Sequence, residues 1–186
     1  AYARGLGGDP AEVIAALFER QRAFAAHAFD QLGDEGFFLV LEPGLNSVAV
    51  ITRHIAGNLA SRWTDFLVTD GEKPTRDRDA ELAPISCEPG EQRAVRESIM
   101  RDWQAGWSTL FETLGSLSAE DFARTVMIRS KPHSVLAAAL RQIDHYSFHV
   151  GQINVIARQI VGTDRWRWFT VPPGGTGELN RRLMGS

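Results

Sequence analysis

Three histidines carry the chemistry that this sequence offers most directly. His145 and His149 stand four apart in Asp144-His145-Tyr146-Ser147-Phe148-His149-Val150-Gly151-Gln152, and His54 stands in Thr52-Arg53-His54-Ile55-Ala56-Gly57-Asn58. Both stretches read as helix, so the i,i+4 pair lies on one helical face about one turn apart. Two imidazoles so spaced can reach one metal ion, and a third from a facing helix would complete a three-nitrogen set. Such a set leaves a coordination position open for water or substrate, which distinguishes catalytic from structural zinc. The competing reading of each ring is a half-buried histidine bonded to a backbone carbonyl. On the later helix Gln142, His145, His149, Gln152 and Ile156 form a polar line beside the apolar Ile143, Phe148, Ile153 and Ile160. On the earlier one His54 shares a face with Ser47, Asn58, Ser61 and Asp65, beside Ile51 and Ile55. Such lines suit either a wet cavity between helices or a solvated face. Asn58, Gln142, Asp144 and Gln152 are the nearest groups by helical phase to orient the rings through their second nitrogens. Asp144, adjacent to His145, points about 100° away from it. His27 reads as a surface residue of the first helix, and His133 as a first-turn residue of the fourth.

These side chains need two helices that face each other, and four long helices are legible. The first runs from about Pro10 to Leu32, with Asp9 as N-cap, Pro10 in the first turn and an apolar stripe of Val13, Leu17, Phe24, Ala28 and Leu32. Gly33 stops it. Phe37 to Leu41 is a short apolar run that suits a strand or an extended linker, broken by Pro43-Gly44. The second helix, capped by Asn46 or Ser47, continues to about Val68 on Val48, Ile51, Ile55, Leu59, Phe66 and Leu67. Residues 69–90 hold five glycines and prolines and many charges, and read as a long loop of the kind that is often functional or mobile. The third helix spans about Glu91 to Leu114, with Val95, Ile99, Trp103, Leu110 and Leu114 inward. Ser118 to Asp121 suits a turn and Val126 to Arg129 a brief strand. The fourth helix opens at Pro132 and ends near Val161, before Gly162. The tail carries Trp166, Trp168, Phe169, a turn at Pro172 to Gly175 and a short polar helix near Glu178 to Leu183. The expected architecture is all-α: a four-helix bundle with short extended segments and a tail, in which the second and fourth helices meet.

Composition sets the outer bounds. A chain of 186 residues suits one domain, 1–186, with a full core. Hydrophobic residues make up 44% and charged residues 23%, ordinary for a soluble domain. A net charge of -3, with the densest basic group, Arg76 to Arg78, interrupted by Asp77 and Asp79, gives no nucleic-acid surface. The single cysteine, Cys87, excludes an internal disulfide and suits a reducing compartment. No apolar signal core opens the chain and no apolar run reaches transmembrane length, so the expected place is the cytoplasm, away from membranes. Cys87 sits in the Pro-rich loop without an evident base beside it, so a thiol nucleophile is not indicated. Gly5-Leu6-Gly7-Gly8 precedes a helix but follows no strand, which makes a nucleotide loop a weak reading. Trp63, Trp166 and Trp168 suit core packing or a dimer contact better than a pocket wall.

The chain resembles the DinB-like (DinB/YfiT) superfamily, and specifically an uncharacterised bacterial branch of it. The resemblance is carried by Asn46-Ser47, His54-Ile55-Ala56-Gly57-Asn58, Arg62-Trp63-Thr64-Asp65-Phe66 and Asp144-His145…His149-Val150-Gly151-Gln152-Ile153, and covers the first helix through the tail. It implies an up-down-down-up four-helix bundle, and a nickel or zinc ion held by one histidine of the second helix and an H-x-x-x-H pair of the fourth. The matching positions are His54, His145 and His149. The likeness implies a metal-dependent hydrolase, or a transferase that uses a low-molecular-weight thiol, as some members do in transfer or in maleylpyruvate isomerisation. It also implies a small-molecule substrate and a homodimer. A divalent ion on three neutral imidazoles would lower the pKa of a bound water or hold a thiol as thiolate. The alternative is a non-catalytic metal-binding or regulatory dimer of the same bundle. Substrate, physiological metal and general base are not read from the residues.

Overall fold

The computed structural model describes residues 8–184. These form seven α-helices, one 3-10 turn and a two-stranded antiparallel sheet. Four helices are long: α1 (Pro10–Phe29), α3 (Val48–Trp63), α5 (Gln92–Gly115) and α6 (Val135–Val161). Three are short: α2 (Asp34–Phe38), α4 (Arg78–Leu82) and α7 (Thr176–Met184). The strands are β1 (Thr125–Ile128) and β2 (Lys131–Ser134). Among the described residues no helix is long and apolar enough to cross a membrane.

Side-chain caps set the helix starts. The Asp9 carboxylate accepts from the Ala11 amide at 2.9 Å, with Pro10 in the first turn, where its missing N–H costs nothing. Ser47 Oγ accepts from Val50 N at 3.3 Å, and Ser134 Oγ from Ala137 N at 3.1 Å. Gly162, at φ 88°, ends α6 in a conformation that favours glycine.

The long helices close a ring. α1 packs on α5 and α6, and α3 packs on the same two. Their common core is aromatic: Phe18, Trp63, Trp103, Trp107 and Tyr146 are all essentially inaccessible. Phe18 meets Trp63 edge-on with ring centroids 5.5 Å apart, and Trp107 meets Tyr146 at 5.6 Å, the edge-to-face geometry that aromatic quadrupoles favour. α3 and α5 approach most closely at Gly106, where a Cβ would stand 2.7 Å from the Leu59 Cβ. Nearly the whole circumference of α3 is buried, which seats His54 deep in the protein.

Several boundaries differ from the sequence expectation, each for a local reason. The first helix ends at Phe29; of its expected stripe Ala28 is buried, as is Leu32 just beyond the helix, whereas Val13, Leu17 and Phe24 are half-buried and Ile14, Phe18, Ala25 and Phe29 are buried beside them. The run at Phe37 is not a strand. Gly33 starts the short helix α2, with Asp34 and Glu35 in its first turn, and only the segment after Phe38 is extended. The second long helix stops at Trp63 instead of Val68, because Thr64 is extended and Asp65 takes a left-handed φ of 49°. The fourth begins at Val135, not Pro132. Arg129 and Ser130 take φ of 53° and 58°, the conformation of a two-residue hairpin turn, and fold Lys131–Ser134 back onto Thr125–Ile128. His133 is therefore a strand residue paired with Val126, its Nδ1 2.9 Å from the Lys131 carbonyl. The Asp70 carboxylate secures this turn, accepting from the amides of Arg129 at 2.8 Å and Ser130 at 2.6 Å.

His27 is not a free surface residue either. Its Nε2 lies 2.5 Å from the Arg167 carbonyl and its ring packs against Trp166 and Phe169, so it fastens the tail to α1. Trp63 is in the core, Trp166 is buried beside His27, and Trp168 lies under the Arg158 guanidinium at 4.6 Å. Of the glycine-rich Gly5–Gly8 segment, residues 5–7 lie outside the described residues.

Candidate metal centre

His54 projects from the middle of α3, and His145 and His149 from successive turns of α6, the helix that packs beside it. The structure brings all three together. One ring nitrogen from each lies within 4.8 Å of the other two, and among the described residues these three alone are so placed among His, Cys, Asp and Glu side chains. The ring centroids are 5.3 Å apart for His54 and His145, 4.9 Å for His54 and His149, and 4.7 Å for His145 and His149. The Nε2 atoms of His54 and His145 are 3.3 Å apart. His54 is buried, the α6 pair is half-buried, and Gln152, three residues beyond His149, is exposed.

The far nitrogens of two rings are held. His54 Nδ1 is 2.9 Å from Glu81 Oε2, and His149 Nδ1 is 2.8 Å from Gln152 Oε1. With Nδ1–H donated to each oxygen, both rings turn an Nε2 lone pair toward the shared point, the arrangement that orients metal-binding histidines. A divalent ion suits this donor set: three neutral nitrogens from two rigid helices, which could hold it and leave a position free. The third far nitrogen, His145 Nδ1, is buried with no hydrogen-bond partner among the described residues, and so is Gln142 Oε1 on the preceding turn.

Glu81 comes from the segment that reads in sequence as a structureless loop. Within it α4 forms on the Asp77 cap, whose carboxylate accepts from Ala80 N at 2.9 Å. The helix lies along α3, where Arg53 Nε donates to the Glu81 carbonyl at 2.9 Å and Arg53 Nη2 to that of Ala83. Arg76 grips the Glu81 carboxylate with two hydrogen bonds, Nε to Oε1 at 2.8 Å and Nη2 to Oε2 at 2.7 Å. Arg76 also meets Glu72 at 3.4 Å, and Glu72 in turn accepts from Arg62 at 2.9 Å. A buried chain of alternating charge thus runs from α3 through the loop and back to His54. No pattern within residues 69–90 singles out Glu81 or Arg76. The one signal was the density of acidic and basic residues in a loop too long to be idle.

Burial and neighbouring charges favour the neutral form of the α6 pair. Burial first, then the neighbouring His149 and His54 rings and the Arg76 and Arg62 guanidiniums, push His145 down to about 3. Burial also lowers His149, against the hydrogen bond to Gln152. For Glu81, burial acts to raise the carboxyl, but the hydrogen bonds from Arg76 and His54 and the Arg76 charge outweigh it and hold the group at about 2. The acid is ionised, and its Oε2 accepts from His54 Nδ1–H.

The remaining candidates have other occupations. Asn58 Oδ1 accepts from the Tyr146 hydroxyl at 3.0 Å, which itself accepts from Trp63 Nε1 at 3.3 Å. That chain is buried and ties α3 to α6 one turn from the histidines. Gln142 is buried and Asp144 exposed. Phe148, expected in the apolar stripe, is 64% exposed, and Tyr146 takes the inward place. Cys87 is a free, half-buried thiol.

No curated protein and no solved structure matches this chain. One family does, described as a protein of unknown function (DUF1572), and its match runs over residues 9–175, from the α1 cap through the aromatic tail. The chain belongs to the DUF1572 family.

Proposed function

We propose that the protein is a metal-dependent enzyme acting on a small molecule, by hydrolysis or by transfer of a low-molecular-weight thiol. One observation carries this reading: three ring nitrogens within 4.8 Å of one another, with the far nitrogens of His54 and His149 held by Glu81 and Gln152. His54, His145 and His149 hold the ion, zinc or nickel. An ion so held supplies Lewis acidity, lowering the pKa of a water or thiol that it binds. The protein contributes the rest. α3 and α6 fix the three rings, Glu81 and Gln152 set two of their tautomers, and burial favours the uncharged, donor form of His145 and His149.

The same reading takes the chain as one DinB-like domain, 1–186, of up-down-down-up four-helix type, located in the cytoplasm. The ring of α1, α5, α3 and α6 supports that architecture. A homodimer is supported by the exposed apolar residues along α6, Leu136, Leu140, Phe148 and Val155.

Metal analysis of protein purified without a nickel column, followed by assays against ester, amide and thiol-transfer substrates, tests the function. Metal-dependent turnover of one class is expected. A cobalt-loaded sample that develops a sulfur-to-metal charge-transfer band with a cellular thiol selects transfer, and turnover without such a band selects hydrolysis. Stoichiometric metal with no turnover in any class would make the protein a metal-binding bundle, and no metal uptake would sink the reading.

A further inference from the structure

We infer that Glu81 is the positioning residue that fixes the metal-binding form of His54, and that α4 is seated on α3 for this purpose. The assignment rests on the three histidines serving as ligands, and adds that one ligand is set by a segment outside the long helices.

Three independent features converge on the Glu81 side chain. Its Oε2 lies 2.9 Å from His54 Nδ1, where only an N–H can donate to it. Arg76, itself buried, holds both carboxylate oxygens, so the acceptor cannot swing away without leaving a buried guanidinium unpaired. Finally, α3 carries a glycine where the side chain crosses it. A Cβ at Gly57 would stand 2.6 Å from Glu81 Cδ, 3.0 Å from its Cγ and closer still to Oε1. Real Cβ contacts are not that short, so a side chain at 57 would force the Glu81 carboxylate, gripped by Arg76, to shift from its place against His54. Glycine inside a helix costs roughly 1 kcal/mol relative to alanine, and access of Glu81 to His54 is what the structure shows in return. A neutral imidazole has one N–H. With it on Nδ1 and directed at Glu81, the lone pair on Nε2 faces His145 and His149. Without the carboxylate the proton is free to sit on Nε2, the nitrogen 3.3 Å from His145 Nε2, and the ion must then displace it.

Two measurements on the full chain test this. Long-range proton–nitrogen correlation spectra of metal-free protein report which nitrogen of His54 carries the proton. Wild type should show Nδ1–H, Glu81→Gln should keep it because an amide oxygen still accepts, and Glu81→Ala and Gly57→Ala should shift it toward Nε2–H. Zinc affinity, by competition with a chromogenic chelator, should fall by something like 10- to 100-fold in Glu81→Ala and Gly57→Ala, and less in Glu81→Gln. Adding Gly57→Ala to Glu81→Ala should cost little more, since both remove the same contact. Urea denaturation of each metal-free variant separates folding losses from the tautomer change. Nε2–H in wild type, or an Nδ1–H form that survives Glu81→Ala, would overturn the inference. So would a zinc affinity within twofold of wild type in both Glu81→Ala and Gly57→Ala. If wild type takes up no zinc while the tautomer follows Glu81, the proposed metal function falls and the positioning role stands.

Discussion

Replacing Arg76 by alanine should destabilise the metal-free protein by about 3 kcal/mol at pH 7, and two routes lead to that figure. Arg76 is 4% exposed, and its partners Glu81 and Glu72 are 11% and 22% exposed. Removing one member of a buried, hydrogen-bonded pair costs about 3–5 kcal/mol, because the other charge is left without compensation. The lower end applies here, since Glu72 keeps Arg62 at 2.9 Å and Arg129 at 3.2 Å. The second route is linkage. Glu81 titrates at about 2 in the fold against an ordinary 4.5. A depression of that size corresponds to roughly 3 kcal/mol, present above pH 4.5 and lost as the pH falls through 2. Arg76 is the main partner opposing burial there, so much of that stabilisation should vanish with it. Urea unfolding at pH 7 measures the change: with a slope of about 2 kcal/mol/M, the midpoint should drop by about 1.5 M. The sign of the pH effect is a second check. Wild type and Arg76→Ala should converge as the pH falls from 4.5 toward 2, because the unfolded chain then takes up the Glu81 proton and the stabilisation of the ionised carboxylate by Arg76 is lost. A loss under about 1 kcal/mol at pH 7, or a difference that stays constant into acid, would refute the view that this cluster is a desolvated, mutually dependent set.

Zinc at 100 times its dissociation constant should stabilise wild type by about 2.7 kcal/mol, raising Tm by roughly 5–10 °C. His149→Ala should abolish the shift, and chelator should lower Tm without unfolding the protein at room temperature, since the aromatic core lies elsewhere. Gly106→Ala should cost up to about 2 kcal/mol in urea unfolding, as overpacking against Leu59 outweighs the gain in helix propensity; a more stable variant would contradict the close α3–α5 approach. Zinc binding at pH 6 should release clearly fewer protons than the roughly two that three ordinary imidazoles would give, read by calorimetry in buffers of different ionisation enthalpy. His145, held at about 3, has none to release at that pH, and burial lowers His149 in the same direction. Metal-free protein should also lose stability as the pH falls from 6.5 toward 3. The unfolded chain takes up a proton at His145 that the fold refuses until about 3, and an acid profile that is flat across this window would contradict its burial.

Periodicity alone determined that His145 and His149 share a face and that four long helices exist, because helical geometry is local and repeats every 3.6 residues. It also marked most of the inward residues of α3 and α5, such as Ile55, Leu59, Trp103 and Leu110, since a buried stripe must be apolar. The capping residues Asp9 and Ser47 were legible for the same reason, being local solutions to unpaired amides. Local rules could not settle Lys131–Ser134, where Pro132 suits a helix start and two left-handed residues just before it make a hairpin instead. They also could not fix the start of the α1 stripe, where Ile14 and Phe18 are buried in place of the half-buried Val13 and Leu17, although Ala28 and Leu32 lie inward as their spacing indicates. Above all, that α3 faces α6, and that Glu81 reaches His54 from 27 residues away, was decided by tertiary packing. The contact needs α4 docked by Arg53, a carboxylate gripped by Arg76 and a gap at Gly57. Each is an ordinary residue in sequence, and becomes part of a site only because a long-range fold removes them together from water, where hydrogen bonds and charges bind one another most strongly.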